Sequence, residues 1–504
     1  MPFAALIRLF ALALLPVAAL AFAACDDDGD GDPGSPQVTV TPDTAQTPDE
    51  GGAEDGGGAE GVQLADPDLQ VEAIEGVDMP TQIAFIGPDD MLVTEKDGDV
   101  VRVTDGQAQE EPVLSLATNY ADERGVLGIA THPGFEQNNY VYIYWTWTGE
   151  GDVPDGLTGE ASEDIELVPE NGNRVDRFVW DGERLTFDQN IIELPSRVTD
   201  LTLDRRRGNH NGGVIKFGDD GKLYAVIGDQ NVRGELTNVQ DGETVTESGL
   251  VAVVLRLNDD GSVPEDNPFV GEGDPLDKVY VYGVRNSFGF DFHPDTGDLW
   301  LEVNGQAAHD VIGRYPAGSN VGWIQILGPV ERFDEYKAIE LPTERQFDSP
   351  SFPPSMLAAS ADEALARLFE LPGSQFVEPE ITWKYAVAPA GMHFIEGDAL
   401  GAEYAGDLLV GDVNTGTIWR FDVAPDGSSL QLSGPLADGV IDNTSEDLTA
   451  EGQDNVFGSG FFVGTDIKQS PDGALYITSL AQNAIYRITA GGGGESDGAP
   501  TRQQ

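Results

Sequence analysis

Cysteine, histidine and basic residues are scarce in this chain. One cysteine, Cys25, stands among 504 residues, so no internal disulfide can form. With only five histidines, no Cys/His zinc cluster is encoded either. Lysine and arginine total 27 against 89 aspartates and glutamates, a formal net charge of −62. That balance argues against nucleic acid, whose phosphates need a basic face, and against an anionic membrane surface. It fits a solvated, self-repelling surface. No apolar run beyond Ala24 is long enough to cross a bilayer.

The chain opens with Arg8 and then an apolar run to Ala24, the pattern of an export signal over residues 1–24. Phe22-Ala-Ala-Cys25 resembles a bacterial lipobox, which would place lipid on Cys25 and hold the exported protein at a membrane. Ordinary cleavage after Ala23 would instead leave a soluble secreted protein. Residues 25–61 are Asp, Gly, Pro, Thr and Glu with few apolar side chains, too little to bury, and read as a tether. Residues 491–504 have the same character. A globular region over 62–490 remains.

Within it a strand–turn–strand theme recurs, as in Met91–Val103, Tyr140–Trp180, Gly221–Ile227, Gly297–Glu302, Asp407–Phe421 and Asp472–Ile488. Each unit has a Gly-containing turn and β-branched or aromatic strands. Such a repeat predicts an all-β fold, a six-bladed β-propeller of four-stranded antiparallel blades. A pair of β-sandwiches would not repeat one turn motif so regularly. Gly149–Asn173 reads as an acidic surface insertion. Apolar residues at helical spacing predict one short inserted helix over Met356–Leu371.

Two hairpins carry the chemistry. Gly218-Asp-Asp-Gly221 is a turn between apolar runs. Folding about its middle sets Phe217 opposite Lys222 and His210 opposite Asp229, where opposed residues sit about 5 Å apart. An imidazole oriented by a carboxylate makes a general base; a polar strand end with a solvated His is the bland alternative. The second hairpin turns at Asp295-Thr296 and brings Arg285 and Asn286 opposite Gln306 and Gly305. A cation, an amide and a glycine backbone thus share one open end. If the blades are equivalent, both open ends converge on one end of the axis, where propellers bind ligands.

Glu123-Arg-Gly-Val-Leu-Gly-Ile-Ala-Thr-His-Pro-Gly-Phe135, the two hairpins, Val254–Phe269, Gly318-Ser-Asn-Val-Gly-Trp323 and Thr465–Tyr476 together resemble the glucose/sorbosone dehydrogenase superfamily, in a divergent branch. These are quinoprotein sugar dehydrogenases that use pyrroloquinoline quinone (PQQ). The resemblance implies an extracytoplasmic aldose dehydrogenase. In it His210 is the base that takes the sugar's anomeric proton while hydride passes to the quinone. Asp229 orients His210, Arg285 polarises the quinone carbonyl, and Asn286 sits beside the cofactor. It also implies calcium beneath the quinone, held by the carbonyls of Gly305 and Gln306 with Asp310 as the remaining carboxylate. A sugar and an electron acceptor are the implied partners. The family's Lys and two Arg for the cofactor carboxylates correspond to Asn414, Val463 and Thr465, which carry no charge. Lys384, in a nearby matched segment, is the expected replacement for one of them.

Two other readings stay open. One is a non-catalytic, lipid-anchored propeller that binds carbohydrate or protein, consistent with the lost cations. The other is a metal-dependent lactone hydrolase, for which no central Asp/Glu cluster is evident. Among remaining residues, His132 and His293 precede proline and read as turn-shaping. His393 reads as a core histidine and Trp145, Trp147, Trp180, Trp300, Trp383 and Trp419 as interblade core. Trp323, in a loop motif, is the expected sugar-stacking residue.

Overall fold

A computed structural model describes residues 61–149, 157–197, 207–341 and 354–491. The signal segment, Cys25 and all but the last residue of the tether lie outside the described residues. So do nearly all of the tail and part of the 149–173 insertion.

The fold is an all-β propeller. Its described strands form six sheets, mostly antiparallel, and in two of them an N-terminal strand joins strands from the C-terminal part of the chain. The innermost strands are Pro80–Gly87, Val126–Thr131, Ile215–Phe217, Phe290–Phe292, Pro389–Phe394 and Ile467–Gln469. Contacts between these strands close a ring. Ile129 N–H donates to Gln82 Oε1 at 3.1 Å, Lys216 pairs with Asp291 at 2.8 Å, His393 meets the same Asp291 at 2.9 Å, and Ile83 N–H donates to Asp466 at 2.9 Å. Close approach explains two glycine positions. A Cβ on Gly128 would lie 2.1 Å from the Gly213 carbonyl oxygen, and one on Gly289 would lie 3.0 Å from Gly391.

The middle strands Leu223–Ile227 and Val253–Leu257 are buried at every residue. Neighbouring sheets cover both of their faces, so they read as continuous apolar runs rather than alternating ones. Trp145, Trp300, Trp383 and Trp419 are fully buried between sheets, as the sequence led us to expect. The N-terminal strand Leu69–Ile74 pairs antiparallel with Ala484–Ala490, from Leu69 opposite Ala490 to Ile74 opposite Ile485. The two ends of the described fold therefore share one sheet.

Three expectations need correction. The inserted helix is shorter than Met356–Leu371: only Ala361–Ala366 is α-helical, N-capped by Ser360. Leu357 and Leu368 nevertheless pack into the core, with Ala361 and Leu365 against it, as the spacing implied. The helix is also not alone, since Phe333–Glu340 forms an α-helix with Phe333 and Tyr336 buried. Third, the first hairpin is offset by one residue, with Phe217 opposite Leu223 and Ile215 opposite Ala225. The turn carries one more residue than assumed, and the ladder alone would not face His210 to Asp229. The second hairpin has the expected register, with Phe290 opposite Leu301.

Candidate active site

Side chains and backbone from the ends of these strands line one cavity of about 530 Å³, counting its open mouth. Glu123, His210, Arg285, Asn286, Phe288, Ala386, Ala388, Gly464 and Thr465 come from segments leading into inner strands. Asn304, Gly305 and Val413 come from turns between second and third strands. Antiparallel order puts both kinds of segment at the same end of the sheets, so the topology gathers residues distant in sequence.

His210 and Asp229 meet there despite the register offset. The chain before Ile215 leaves the ladder, and His210 takes a left-handed conformation, φ 58°, that few non-glycine residues adopt. Such conformations cluster at functional sites. The Glu123 carboxylate accepts the His210 backbone N–H at 2.6 Å and an amide N–H of Asn286 at 3.0 Å. His210 Nδ1 then lies 2.5 Å from Asp229 Oδ1, with both residues buried. Asp229 Oδ1 also accepts the Asn231 N–H at 2.9 Å. Its Oδ2 accepts the Trp323 indole N–H at 2.7 Å, and Arg233 is 3.4 Å away. Burial pushes the Asp229 carboxyl up. The charge and hydrogen bond of His210, with Arg233 and Arg285, outweigh it and hold Asp229 well below the usual carboxylate range.

Trp323 is thus not a sugar-stacking platform. It is 1 % exposed, lies outside the cavity lining, and spends its one donor on Asp229. Its ring also lies 5.4 Å from the Arg285 guanidinium carbon.

Arg285 is buried, and its Nη1 donates to the carbonyls of Gly305 at 2.9 Å and Asn304 at 3.3 Å. Two cavity-lining amides show their orientation through their donors. Asn286 Nδ2 donates to Glu123 and Asn304 Nδ2 donates to the Pro389 carbonyl at 2.8 Å. The oxygen of each is buried and has no hydrogen-bond partner. An unmatched buried acceptor is costly, and the Asn286 oxygen is packed against Gly228, where an added Cβ would lie 2.6 Å from it.

Asp310 lines the cavity floor. Its Oδ1 accepts Gly305 N–H at 2.6 Å and its Oδ2 accepts the N–H groups of Val387 and Ala388 at 2.6 and 2.7 Å. Burial nonetheless pushes its carboxyl up to about 6. Nearby Glu302, fully buried, is raised well above the carboxylate range by burial. Among the described residues no cluster of three or more His, Cys, Asp or Glu can hold a metal ion. Gln306 lies beside Gly305 but outside the lining.

Lys384 does not supply the expected cation. It lies outside the lining and its ammonium pairs with Glu335 at 2.6 Å and Asp442 at 3.7 Å. Of the three uncharged positions, Asn414 is exposed and Val463 is buried. Thr465 donates its hydroxyl to the Thr81 carbonyl at 2.6 Å. Arg285 is the one Lys or Arg among the described lining residues. Elsewhere His132 and His293 accept N–H groups two residues on, from Gly134 and Asp295. His393 pairs with Asp291, though its Nε2 is unpartnered.

Sequence reasoning gave Glu123, Asn304 and the Trp323–Asp229 bond no part in the site. A usable signal for Glu123 existed: it stands just before an inner strand, as do His210 and Arg285.

A model of the glucose/sorbosone dehydrogenase family matches residues 77–364. The chain is 28% identical over 269 residues to aldose sugar dehydrogenase YliI of Escherichia coli, a match covering 51% of this chain and 62% of that protein. It is 31% identical over 260 residues to quinoprotein glucose dehydrogenase B of Acinetobacter calcoaceticus, covering 48% of this chain and 49% of that one. The matched stretch is therefore less than two thirds of either relative. The crystal structure of the soluble aldose sugar dehydrogenase of Escherichia coli in its apo form superposes with a TM-score of 0.59 at 20% identity, covering 84% of this chain and 99% of that one. At that identity the likeness concerns the fold.

Proposed function

The chain belongs to the glucose/sorbosone dehydrogenase family, and from that premise we propose that it is a quinone-dependent dehydrogenase of a neutral sugar, with His210 as general base. The observation that carries this reading is the buried His210–Asp229 pair, 2.5 Å apart, at a cavity that Arg285 and Asn286 also line. The six-blade count belongs to the same proposal, supported by the six sheets that the described strands form. So does export with a lipid anchor on Cys25, supported by the leader pattern.

With Nδ1 directed at Asp229, Nε2 of His210 is the nitrogen that takes the sugar's hydroxyl proton. Asp229 stays ionised and stabilises the imidazolium that forms. Trp323, Asn231 and Arg233 hold Asp229 in place, so the ring cannot turn away. Arg285, His210 and Asn286 fit the reacting edge of PQQ, which when bound supplies a two-electron acceptor for the hydride. Its carboxylates meet no side-chain cation among the described lining residues apart from Arg285. The carbonyls of Asn304 and Gly305 and the carboxylate of Asp310 do not fit a calcium ion, since N–H groups already occupy them, and calcium has no part in this mechanism.

Calorimetric titration of the full chain with PQQ, followed by dye-linked oxidation of an aldose panel, tests the proposal. Saturable binding with turnover of at least one aldose supports it. Absence of binding at high micromolar quinone refutes it and favours the second reading, a non-catalytic propeller that binds carbohydrate or protein. That reading draws on the uncharged Asn414, Val463 and Thr465.

A further inference from the structure

We infer that the Arg285 guanidinium takes the place of a divalent cation beside the cavity, so that the site is assembled, and binds its ligand, without a metal ion. The inference builds on the reading of this cavity as the cofactor and substrate site, but its test needs neither quinone nor sugar.

A calcium ion requires about six to eight oxygen ligands at roughly 2.3–2.6 Å. Besides the Gln306 carbonyl, which alone is far short of that number, the segment between the strands Leu299–Val303 and Ala308–Arg314 offers the carbonyls of Asn304 and Gly305 and the carboxylate of Asp310. Each already has a donor. Arg285 Nη1 donates to both carbonyls, and three backbone N–H groups occupy the two Asp310 oxygens. One oxygen of the nearby Glu340 carboxylate is committed in the same way. Its Oε1 accepts the N–H groups of Ala307 and Ala308, both at 2.9 Å. The segment is thus clasped from below by Asp310 and from the helix Phe333–Glu340 by Glu340, with the guanidinium bridging its carbonyls.

An incoming ion at ligand distance from the Gly305 carbonyl would stand within about 5 Å of Arg285 Nη1. That is like charge against like charge in a dry site, where repulsion is poorly screened. A guanidinium does not relieve such repulsion by losing a proton. Nor does the structure favour its withdrawal, because it is 3% exposed and lies against the Trp323 ring. A planar fork that donates to two carbonyls does with one charge what an ion would do with two: it pins the turn and places positive potential at the cavity floor.

The test is thermal melting and calcium calorimetry of the full chain after dialysis against a chelator, at constant ionic strength. Surface carboxylates will bind some calcium, so the site-specific signal is the difference between wild type and Asp310→Asn. We expect no such difference, and no fall in wild-type Tm on chelation. We also expect Arg285→Met to gain a calcium-dependent rise in Tm that the Arg285→Met/Asp310→Asn pair loses. A micromolar site at about 1 mM calcium would raise Tm by about 4 °C. A rise of that size in wild type that Asp310→Asn abolishes overturns the inference. If Asp310→Asn does not fold, a comparable fall in wild-type Tm on chelation overturns it, and no fall upholds it. If Arg285→Met gains no calcium response, the guanidinium is not standing in for an ion and the inference fails.

Discussion

Replacing Trp323 with Phe removes the indole N–H donor together with the five-membered ring and keeps a six-membered aromatic ring. The lost bond runs from the indole N–H to Asp229 Oδ2 at 2.7 Å, and the acceptor is fully buried. Hydrogen bonds to charged groups contribute about 1.5–3 kcal/mol. For a domain of this size, with unfolding entropy near 2.1 cal/mol/K per residue, that corresponds to a fall in Tm of about 2–3 °C. The pH dependence has a definite sign. Asp229 titrates below its ordinary value in the folded state, so its contribution is present above the unfolded pKa and is lost as pH falls through the folded one. Losing a donor moves the folded pKa back up, so acid unfolding begins at a higher pH in the variant. Calorimetry gives the Tm, and far-UV circular dichroism during acid titration gives the midpoint. Turnover should fall with little change in KM, because Trp323 lies outside the cavity and acts through Asp229 on His210. A variant with wild-type Tm and wild-type acid midpoint would refute the bond and, with it, the assignment of Trp323 as a positioning residue.

Glu123→Ala strips the acceptor from the left-handed His210 backbone and from Asn286. We expect about 1–3 kcal/mol of destabilisation and a clear loss of turnover, read by melting and steady-state kinetics. Lys384→Met breaks a partly exposed ion pair remote from the lining, so quinone affinity by calorimetry should be unchanged and stability should shift by less than about 1 kcal/mol. Stability as a whole should be greatest on the acid side of neutrality. Glu95 is pushed up to about 7 and Asp310 and Asp412 to about 6, each chiefly by burial. Raised carboxyls contribute stability that is lost as pH rises from their unfolded values through those points. Asp229 and Asp291, both held low, lose theirs only in stronger acid. Tm measured across pH should peak near about 4–5; a maximum above 7 would contradict these assignments.

The architecture was legible because the same strand–turn–strand unit recurs along the chain, and repetition survives local errors. The second hairpin could be read to the residue, since Asp295-Thr296 marks its turn unambiguously. The first could not. Gly218-Asp-Asp-Gly221 offers two adjacent centres of symmetry, and a shift of one residue changes every pairing. His210 and Asp229 were still matched correctly, for a different reason from the one first given. A left-handed residue and Glu123 bring them together outside the ladder. Trp323 was misjudged because a tryptophan in a loop motif does not reveal whether its face or its N–H is in use. Lys384 was misjudged because its partner Glu335 lies on a helix the repeat did not anticipate, though Phe333 and Tyr336 show the helical spacing. Glu340 on that helix was out of reach for the same reason.

The central claim is that the His210–Asp229 pair makes this cavity a site of sugar oxidation. The most direct test is dye-linked aldose oxidation by the quinone-loaded full chain, comparing wild type with His210→Ala after melting has shown both to be folded. The account predicts turnover by wild type and a loss on the order of 10²–10⁴-fold in the variant, the range for removing a general base, with quinone still bound. Equal rates in the two proteins, or no aldose turnover by a wild type that binds quinone, would contradict it.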